Sequence, residues 1–129
     1  MARVLIVDDD LIDRTILGRI VEGAGHKVYF AGGGEQAFHV YMGTIIDMGT
    51  SIDVIITDLQ MPGIDGLAVI EALQPLFPDV AIIAVSGKGP ELLAAAKDKG
   101  ALVALSKPVD PQELLEAIAH AVGSGWTGP

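Results

Sequence analysis

Apolar residues follow two alternating patterns along this chain. Short runs rich in β-branched residues recur at residues 4–7, 28–30, 54–57, 80–85 and 102–105. Runs of this length that are apolar throughout are typical of strands covered on both faces of a parallel sheet. Between them, apolar residues return every three or four positions, which is the spacing of an amphipathic helix. The pattern therefore predicts five strands that alternate with helices.

Capping and helix-breaking residues set the expected ends of these helices. Helix starts are marked by Asp10, Gly34, Pro90 and Asp110, and helix ends by Gly23, Pro75, Gly100 and Gly123. The helix that stops near Pro75 is expected over residues 67–74. Five strand and helix units result, with a last helix that begins with Pro111 directly after its Asp110 cap.

This alternation predicts an α/β fold with one doubly wound, five-stranded parallel sheet and helices on both of its faces. Residues 1–123 form the predicted domain, and residues 124–129 are interpreted as a flexible C-terminal tail or the start of a linker. In such sheets, ligands bind outside the carboxyl ends of the strands. The residues that close each strand are therefore the candidates for chemistry.

Charged and hydroxyl residues close four of the predicted strands: Asp8, Asp9 and Asp10, then Asp58, then Ser86, and finally Ser106 and Lys107. Taken singly, they are explained as helix caps, turn residues or solvated charges. Together, several carboxylates at one point would repel one another unless a divalent cation and a lysine neutralised them, which predicts Mg²⁺ or Mn²⁺. A carboxylate beside such an ion can act as a nucleophile toward a phosphoryl group. The arrangement indicates phosphoryl-transfer chemistry.

Composition narrows the remaining function classes. The 129 residues include 17 acidic and 8 basic side chains, a formal net charge of -9, which disfavours direct binding to nucleic acid or to an anionic membrane. The absence of cysteine excludes disulfides, thiolate catalysis and cysteine-ligated zinc, and it fits a cytoplasmic location. The apolar runs are too short to cross a bilayer.

Several segments resemble the receiver domain of two-component response regulators, in particular that of the chemotaxis regulators. They are Val7-Asp8-Asp9-Asp10, Asp58-Leu59-Gln60-Met61-Pro62-Gly63-Ile64-Asp65-Gly66, Ser86-Gly87 and Lys107-Pro108. The resemblance covers nearly the whole chain. It implies the flavodoxin-like receiver fold and a phosphorylatable signalling switch that catalyses only its own phosphotransfer and dephosphorylation.

The resemblance also implies a role for each matching residue. Asp58 would accept a phosphoryl group from a histidine kinase or a histidine phosphotransfer protein. Asp9, Asp58 and the backbone carbonyl of Gln60 would ligate Mg²⁺, with Asp8 acting largely through water. Lys107 would pair with the phosphoryl oxygens.

Further roles follow from the same resemblance. Ser86 would move to hydrogen-bond the phosphate and so act as the switch, and the peptide bond before Pro108 would be cis. Gln60 and Lys88 would tune the lifetime of the phosphoryl group, while Gly87 leaves the site open. The output would be a changed affinity for a downstream protein target, with the protein a monomer or a phosphorylation-dependent dimer.

The chain departs from the family pattern at two places. Ala104 stands where the family usually has a Tyr or Phe that packs inward on activation. The response would then use the backbone of the loop at residues 86–90 alone, or another surface would carry the output, or the domain would mainly receive and pass on phosphate. Residues 35–58 are also longer than the pattern by about a helical turn and a half, which predicts either a longer second helix or a longer loop. Tolerated extra length explains this segment slightly better than a docking surface does.

Two other functions compete with a phosphorylatable switch. A degenerate receiver would bind its partner without phosphate, and Ala104 keeps that reading open. A metal-dependent phosphohydrolase would need an acid two residues after Asp58, where the chain has Gln60. Any effector domain would lie on another polypeptide or beyond Pro129.

Overall fold

The computed structural model describes residues 1–49, 51–61, 64–76, 79–87 and 89–123. Its strands are β1 (Arg3–Val7), β2 (Lys27–Ala31), β3 (Val54–Asp58), β4 (Gln60–Met61), β5 (Ile64–Asp65), β6 (Ala81–Ser86) and β7 (Val103–Ser106). Its helices are α1 (Leu11–Gly23), α2 (Gly34–Met48), α3 (Gly66–Leu76), α4 (Pro90–Asp98) and α5 (Pro111–Gly123). Among the described helices, none is both long and apolar enough to cross a membrane.

Five of the strands form one parallel sheet in the order β2-β1-β3-β6-β7, which confirms the predicted fold class. Strands β3 and β6 are buried at every position because helices cover both faces of the sheet. The chain leaves β1 toward β2 on one side and returns to β3 on the other. The carboxyl ends of β1 and β3 therefore flank the crevice where this kind of sheet binds ligands.

Alternate residues of the strands feed cores on opposite faces of the sheet. Ile6 and Ile56 pack in the cluster that contains Leu114 and Ile118 of α5 together with residues of α1. Their neighbours along the strands, such as Ile55, pack with residues of α2 and α3. A third cluster joins β6 to α3 and α4. Burying each such isoleucine contributes about 1.5–3 kcal/mol, which holds the strand ends in fixed register.

Capping residues begin two helices as predicted. The Asp10 carboxylate accepts the Ile12 N–H at 2.8 Å and the Asp13 N–H at 3.1 Å, so α1 begins immediately after the acidic segment. The Asp110 carboxylate accepts the Gln112 N–H at 2.8 Å at the start of α5. Two of the donors left free at the start of α1 are thereby satisfied.

The fold differs from the sequence expectations in two details and decides between two predicted alternatives in a third. The third helix does not stop before Pro75 but includes it, since a proline in the last turn removes a single hydrogen bond. Strands β4 and β5 form a two-residue antiparallel ribbon that the apolar pattern did not predict. Of the two alternatives predicted for the long segment after Glu35, the structure has the longer helix: α2 ends at Met48, and its cap Gly49 has a φ of 65°. The predicted tail at residues 124–129 lies outside the described residues.

Candidate functional site

Three carboxylates meet at the carboxyl end of the central strands. One oxygen each from Asp8, Asp9 and Asp58 lies within 4.8 Å of the others. Strands β1 and β3 pair with Val7 opposite Thr57, so Asp8 and Asp58 are the next residues along two neighbouring strands. The register of the sheet, which the cores on both faces enforce, is what brings these two carboxylates together.

The cluster is buried on one side and open on the other. Asp8 is fully buried and Asp58 is 6% exposed, whereas Asp9 is exposed. Burial raises the pKa of Asp8 above its usual value, and the backbone N–H of Asp10, at 2.9 Å from Oδ1, and the Lys107 charge offset part of this effect. Ionised carboxylates in such a place need a cation close by.

Lys107 supplies a cation to this cluster. Its Nζ lies 3.1 Å from Oδ2 of Asp58, 3.3 Å from Oδ2 of Asp8 and 2.8 Å from Oδ2 of Asp13. Burial alone would lower the pKa of Lys107, but the hydrogen bonds to Asp13 and Asp58 and the charges of Asp58 and Asp8 outweigh it and raise the pKa. The lysine is therefore held fully charged beside Asp58 at neutral pH.

Asp13 is the residue of this network that the sequence analysis missed. It lies in the first turn of α1, where an acidic side chain is explained by the helix dipole alone. Its sequence signal was weak, because Asp13 lies three residues after the cap Asp10, where acidic residues of a first helical turn are common. The structure brings it within hydrogen-bond distance of Lys107.

Backbone hydrogen bonds hold the site residues in place. The Lys107 N–H donates to the Ser86 carbonyl at 2.9 Å, which ties the end of β7 to the end of β6. Ser86 is fully buried at that point, one residue beyond the partner of Asp58 in the sheet. The Lys107–Pro108 peptide bond is cis. A second cation, Arg14, donates from Nη1 to the Asp8 carbonyl at 3.1 Å.

The segment after Asp58 is held close to its carboxylate. The Gln60 N–H donates to Oδ1 of Asp58 at 2.9 Å. A Cβ on Gly66 would lie 2.5 Å from Cα of Leu59, so only glycine permits α3 to begin this close to the segment.

Of the switch and tuning residues expected from the sequence, Gln60 and Gly87 lie next to each other at the site, whereas Ala104 lies in the sheet. A Cβ on Gly87 would lie 3.8 Å from Oε1 of Gln60 and 3.9 Å from Cβ of Lys107, so Gly87 lies between these two side chains. Lys88 lies outside the described residues. Ala104 pairs with Ala84 in the sheet and is half-buried against the cluster that joins β6 to α4. Its side chain is a methyl group at the position where the family resemblance led us to expect an aromatic ring.

The three clustered carboxylates suit a hard divalent cation. They offer only oxygen donors, and separations up to 4.8 Å allow one Mg²⁺ or Mn²⁺ to bind oxygens from all three. The buried Asp8 supplies a charge that such an ion would neutralise. The chemistry and spacing of the donors therefore fit the metal that the sequence predicted.

An apolar groove of about 370 Å³ opens beside Lys107. It is lined by Asp13, Ile16, Leu17, Lys107, Pro108 and Val109. On α1, which contributes three of these lining residues, the side chains of Leu11 and Ile12 are 66% and 71% exposed. Apolar side chains with this exposure next to a polar site are typical of a surface that contacts another protein.

A family model described as the response regulator receiver domain matches residues 4–119 of the chain. The chain is 26% identical to sporulation initiation phosphotransferase F of Bacillus subtilis, with 90% of each protein covered. It is 32% identical to the sensory/regulatory protein RpfC of Xanthomonas campestris and 33% identical to the transcriptional regulator NtrC of Azospirillum brasilense. These two matches span 91% and 95% of the chain but only 16% and 24% of the relatives' own lengths.

Solved structures of receiver domain and chemotaxis proteins are similar to this chain over nearly its whole length. A receiver domain protein from Clostridium thermocellum superposes with a TM-score of 0.85 at 28% identity, covering 96% of both chains. The chemotaxis protein CheY4 of Vibrio cholerae superposes with a TM-score of 0.80 at 28% identity, covering 95% of this chain and 99% of its own. Both similarities extend over the sheet and all the helices around it.

Proposed function

This chain belongs to the response regulator receiver family of two-component signalling, and we propose that it is a phosphorylatable switch with Asp58 as its phosphoacceptor. Members of this family are signalling switches and not classical enzymes. The observation that carries the proposal is the arrangement around Asp58: oxygens of two further carboxylates lie within 4.8 Å, and the Lys107 ammonium lies 3.1 Å from Oδ2. This combination of groups is what phosphoryl transfer to a carboxylate requires.

In the proposed reaction, a carboxylate oxygen of Asp58 attacks the phosphorus of a phosphohistidine on the partner. The O–P bond forms as the P–N bond breaks, and the electron pair of the broken bond stays on the imidazole nitrogen. Lys107, held at 3.1 Å from Oδ2, stays within reach of the phosphoryl oxygens. Its charge offsets the negative charge that they bring into the site.

The cluster of Asp8, Asp9 and Asp58, with the backbone carbonyl of Gln60, would hold Mg²⁺. When bound, the ion supplies positive charge to the phosphoryl oxygens. The Ser86 hydroxyl at the end of β6 would hydrogen-bond the phosphoryl group, and the loop toward α4 would follow it. Because Ala104 has no ring to pack inward, the response would pass through that loop and the surface of α4 and β7.

We infer the docking surface for the phosphodonor protein from the exposed apolar residues of α1. A histidine kinase or a histidine phosphotransfer protein would dock on the exposed apolar start of α1, next to the groove beside Lys107. A phosphotransferase from Bacillus subtilis matches this chain over 90% of its own length, which supports phosphoryl transfer by a domain of this size. We also propose that residues 1–123 form the receiver unit, that it works in the cytoplasm, and that its output is binding of a downstream protein.

Intact-protein mass spectrometry tests the proposal. The protein is incubated with Mg²⁺ and acetyl phosphate beside two variants, Asp58→Asn and Asp98→Asn. Asp98 is exposed at the end of α4 and serves as a matched control for loss of a carboxylate. We expect one phosphoryl adduct in the wild type and in Asp98→Asn, none in Asp58→Asn, and none when Mg²⁺ is replaced by EDTA.

Two results would count against it. An adduct that persists in Asp58→Asn would place the acceptor elsewhere. No adduct in the wild type, either with acetyl phosphate or with a phosphorylated histidine phosphotransfer protein, would favour a receiver that binds its partner without phosphate.

A further inference from the structure

We propose that Asp13 is a positioning residue that restrains Lys107 and slows the loading of a phosphoryl group onto Asp58. The inference rests on the proposed function and adds a residue outside the motifs that carry the family resemblance. Asp13 lies on α1 and lines the groove beside the site, so it would also connect the site to that surface.

The ammonium of Lys107 already has a full set of acceptors. An ammonium carries three N–H donors, and carboxylate oxygens of Asp8, Asp13 and Asp58 lie within 3.3 Å of Nζ. The shortest of these contacts, 2.8 Å, is the one to Asp13. A phosphoryl oxygen that binds Lys107 must therefore displace one of the three carboxylates.

Burial decides which carboxylate gives way. The side chains of Asp8 and Asp58 are 0% and 7% exposed, so water cannot take over the role of the lysine for them. The side chain of Asp13 is 41% exposed, and its carboxylate can turn into water when it loses the lysine. The Asp13 contact is therefore the one that costs least to break.

Asp13 is also separate from the metal cluster. The three carboxylates whose oxygens lie within 4.8 Å of one another are Asp8, Asp9 and Asp58, and Asp13 is not among them. Loss of its charge should therefore act on Lys107 and not on the ion. In the wild type, each loading event must first break a hydrogen bond between two charged groups. Asp13→Ala removes that bond, and Asp13→Asn leaves at most a weaker one to a neutral amide oxygen.

The test compares rates of phosphoryl loading. The 129-residue wild type is compared with Asp13→Asn, Asp13→Ala, Asp13→Glu and the matched control Asp98→Asn. Each protein is incubated with acetyl phosphate and saturating Mg²⁺, and the adduct is followed by intact-protein mass spectrometry. We expect Asp13→Asn and Asp13→Ala to load about three- to tenfold faster than the wild type. Asp13→Glu, which keeps the carboxylate, should return toward the wild-type rate, and Asp98→Asn should match it.

A Mg²⁺ titration without phosphodonor is the second readout. The dissociation constants of the wild type and Asp13→Asn should agree within about twofold, since Asp13 is not a ligand. A tenfold loss of affinity would make Asp13 part of the metal site and would overturn the inference.

The kinetic outcomes separate the two proposals. Equal rates in Asp13→Asn and the wild type would overturn the role of Asp13 while the proposed function stands. Slower loading in Asp13→Asn would mean that Asp13 holds Lys107 ready for the phosphoryl group, the opposite of the proposal. A wild type that takes no phosphoryl group from any donor would overturn both.

Discussion

At the amino end of the sheet, the Arg3 N–H donates to the Asp53 carboxylate at 2.8 Å, and the Ala2 N–H donates to Nδ1 of His26 at 2.9 Å. At the carboxyl end, three carboxylates share the single ammonium of Lys107. At the amino end of the strands, the side chains of Asp53 and His26 thus each accept a hydrogen bond from a backbone N–H. At the carboxyl end, three carboxylates with one lysine leave an excess of negative charge.

The polar groups at the amino end of the sheet stabilise the fold, whereas those at the carboxyl end are arranged for function. At neutral pH, a backbone N–H paired with a side-chain acceptor stabilises the fold without a bound cation, whereas buried like charges cost free energy unless a cation joins them. The carboxyl end therefore gives up stability for the ability to bind a cation and a phosphoryl group. Substitutions at the two edges should change the free energy of unfolding in characteristically different ways.

The largest effect is expected for Lys107→Met in the metal-free protein. Removal of the cation leaves Asp8 and Asp58 buried without their partner, and partial exposure of Lys107 moderates the cost to about 2–3 kcal/mol of unfolding free energy. Urea unfolding with EDTA measures this, and saturating Mg²⁺ should narrow the gap. Lys97→Met, on the exposed surface of α4, should change stability by less than about 0.5 kcal/mol. An equally small change in Lys107→Met would contradict the picture of a lysine that holds the cluster together.

The amino end is tested by Asp53→Ala. This variant leaves the Arg3 N–H without its charged acceptor, and we expect a loss of about 1–2 kcal/mol in urea unfolding. The loss should be the same with EDTA and with Mg²⁺, because Asp53 is remote from the metal cluster. Asp98→Ala is the control for loss of an exposed carboxylate. Dependence of the Asp53→Ala effect on Mg²⁺ would show that the two edges are not independent.

The sequence predicted the carboxyl end of the sheet far better than the amino end. The strands, their parallel pairing and the convergence of Asp8, Asp58 and Lys107 followed from apolar periodicity and from the residues that close each strand. At the amino end, the partnership of Asp53 with Arg3 joins residues 50 positions apart through a register that periodicity does not specify.

The missed features have different physical causes. Asp13 has an ordinary local explanation, the helix dipole, and local rules take no account of the lysine that the fold brings near it. Pro75 was expected to stop its helix, but a proline in the last turn removes only one hydrogen bond. The β4–β5 ribbon has two residues per strand and is too short to show any period. The roles assigned to Ser86, Gln60 and Gly87 remain predictions, because they concern a phosphoryl group and not the fold.

Asp8→Asn should change stability in the opposite direction from Asp53→Ala. Because folding raises the pKa of Asp8, its ionisation opposes folding: the cost is absent at pH values below the unfolded pKa and is complete above the folded pKa. Replacing the charge should therefore stabilise the metal-free protein at neutral pH by about 1 kcal/mol. Asp10→Asn is the matched control, since asparagine caps α1 equally well.

A second measurement compares how much Mg²⁺ stabilises the wild type and Asp8→Asn. At an ion concentration tenfold above its dissociation constant, the wild type should gain about 1.4 kcal/mol of unfolding free energy, and Asp8→Asn much less. If Asp8→Asn destabilised the metal-free protein, the carboxylate would be a net stabilising group and the contrast between the edges would fail.

The smallest effect concerns His26 at the amino end. Burial, and to a lesser degree the positive N-terminus, lower its pKa from 6.5, so the folded state resists protonation of the ring that accepts the Ala2 N–H. The sign follows from linkage: the stability that this group contributes is complete above the unfolded pKa and is lost as the pH falls through the lower folded pKa. Urea unfolding between pH 7.5 and about 5 should therefore show a steeper loss in the wild type than in His26→Asn, which keeps an acceptor but does not titrate. The control variant His39→Asn, on the exposed face of α2, should show the same pH dependence as the wild type. If the stability curve of His26→Asn ran parallel to that of the wild type, the charge state of His26 would not matter for folding.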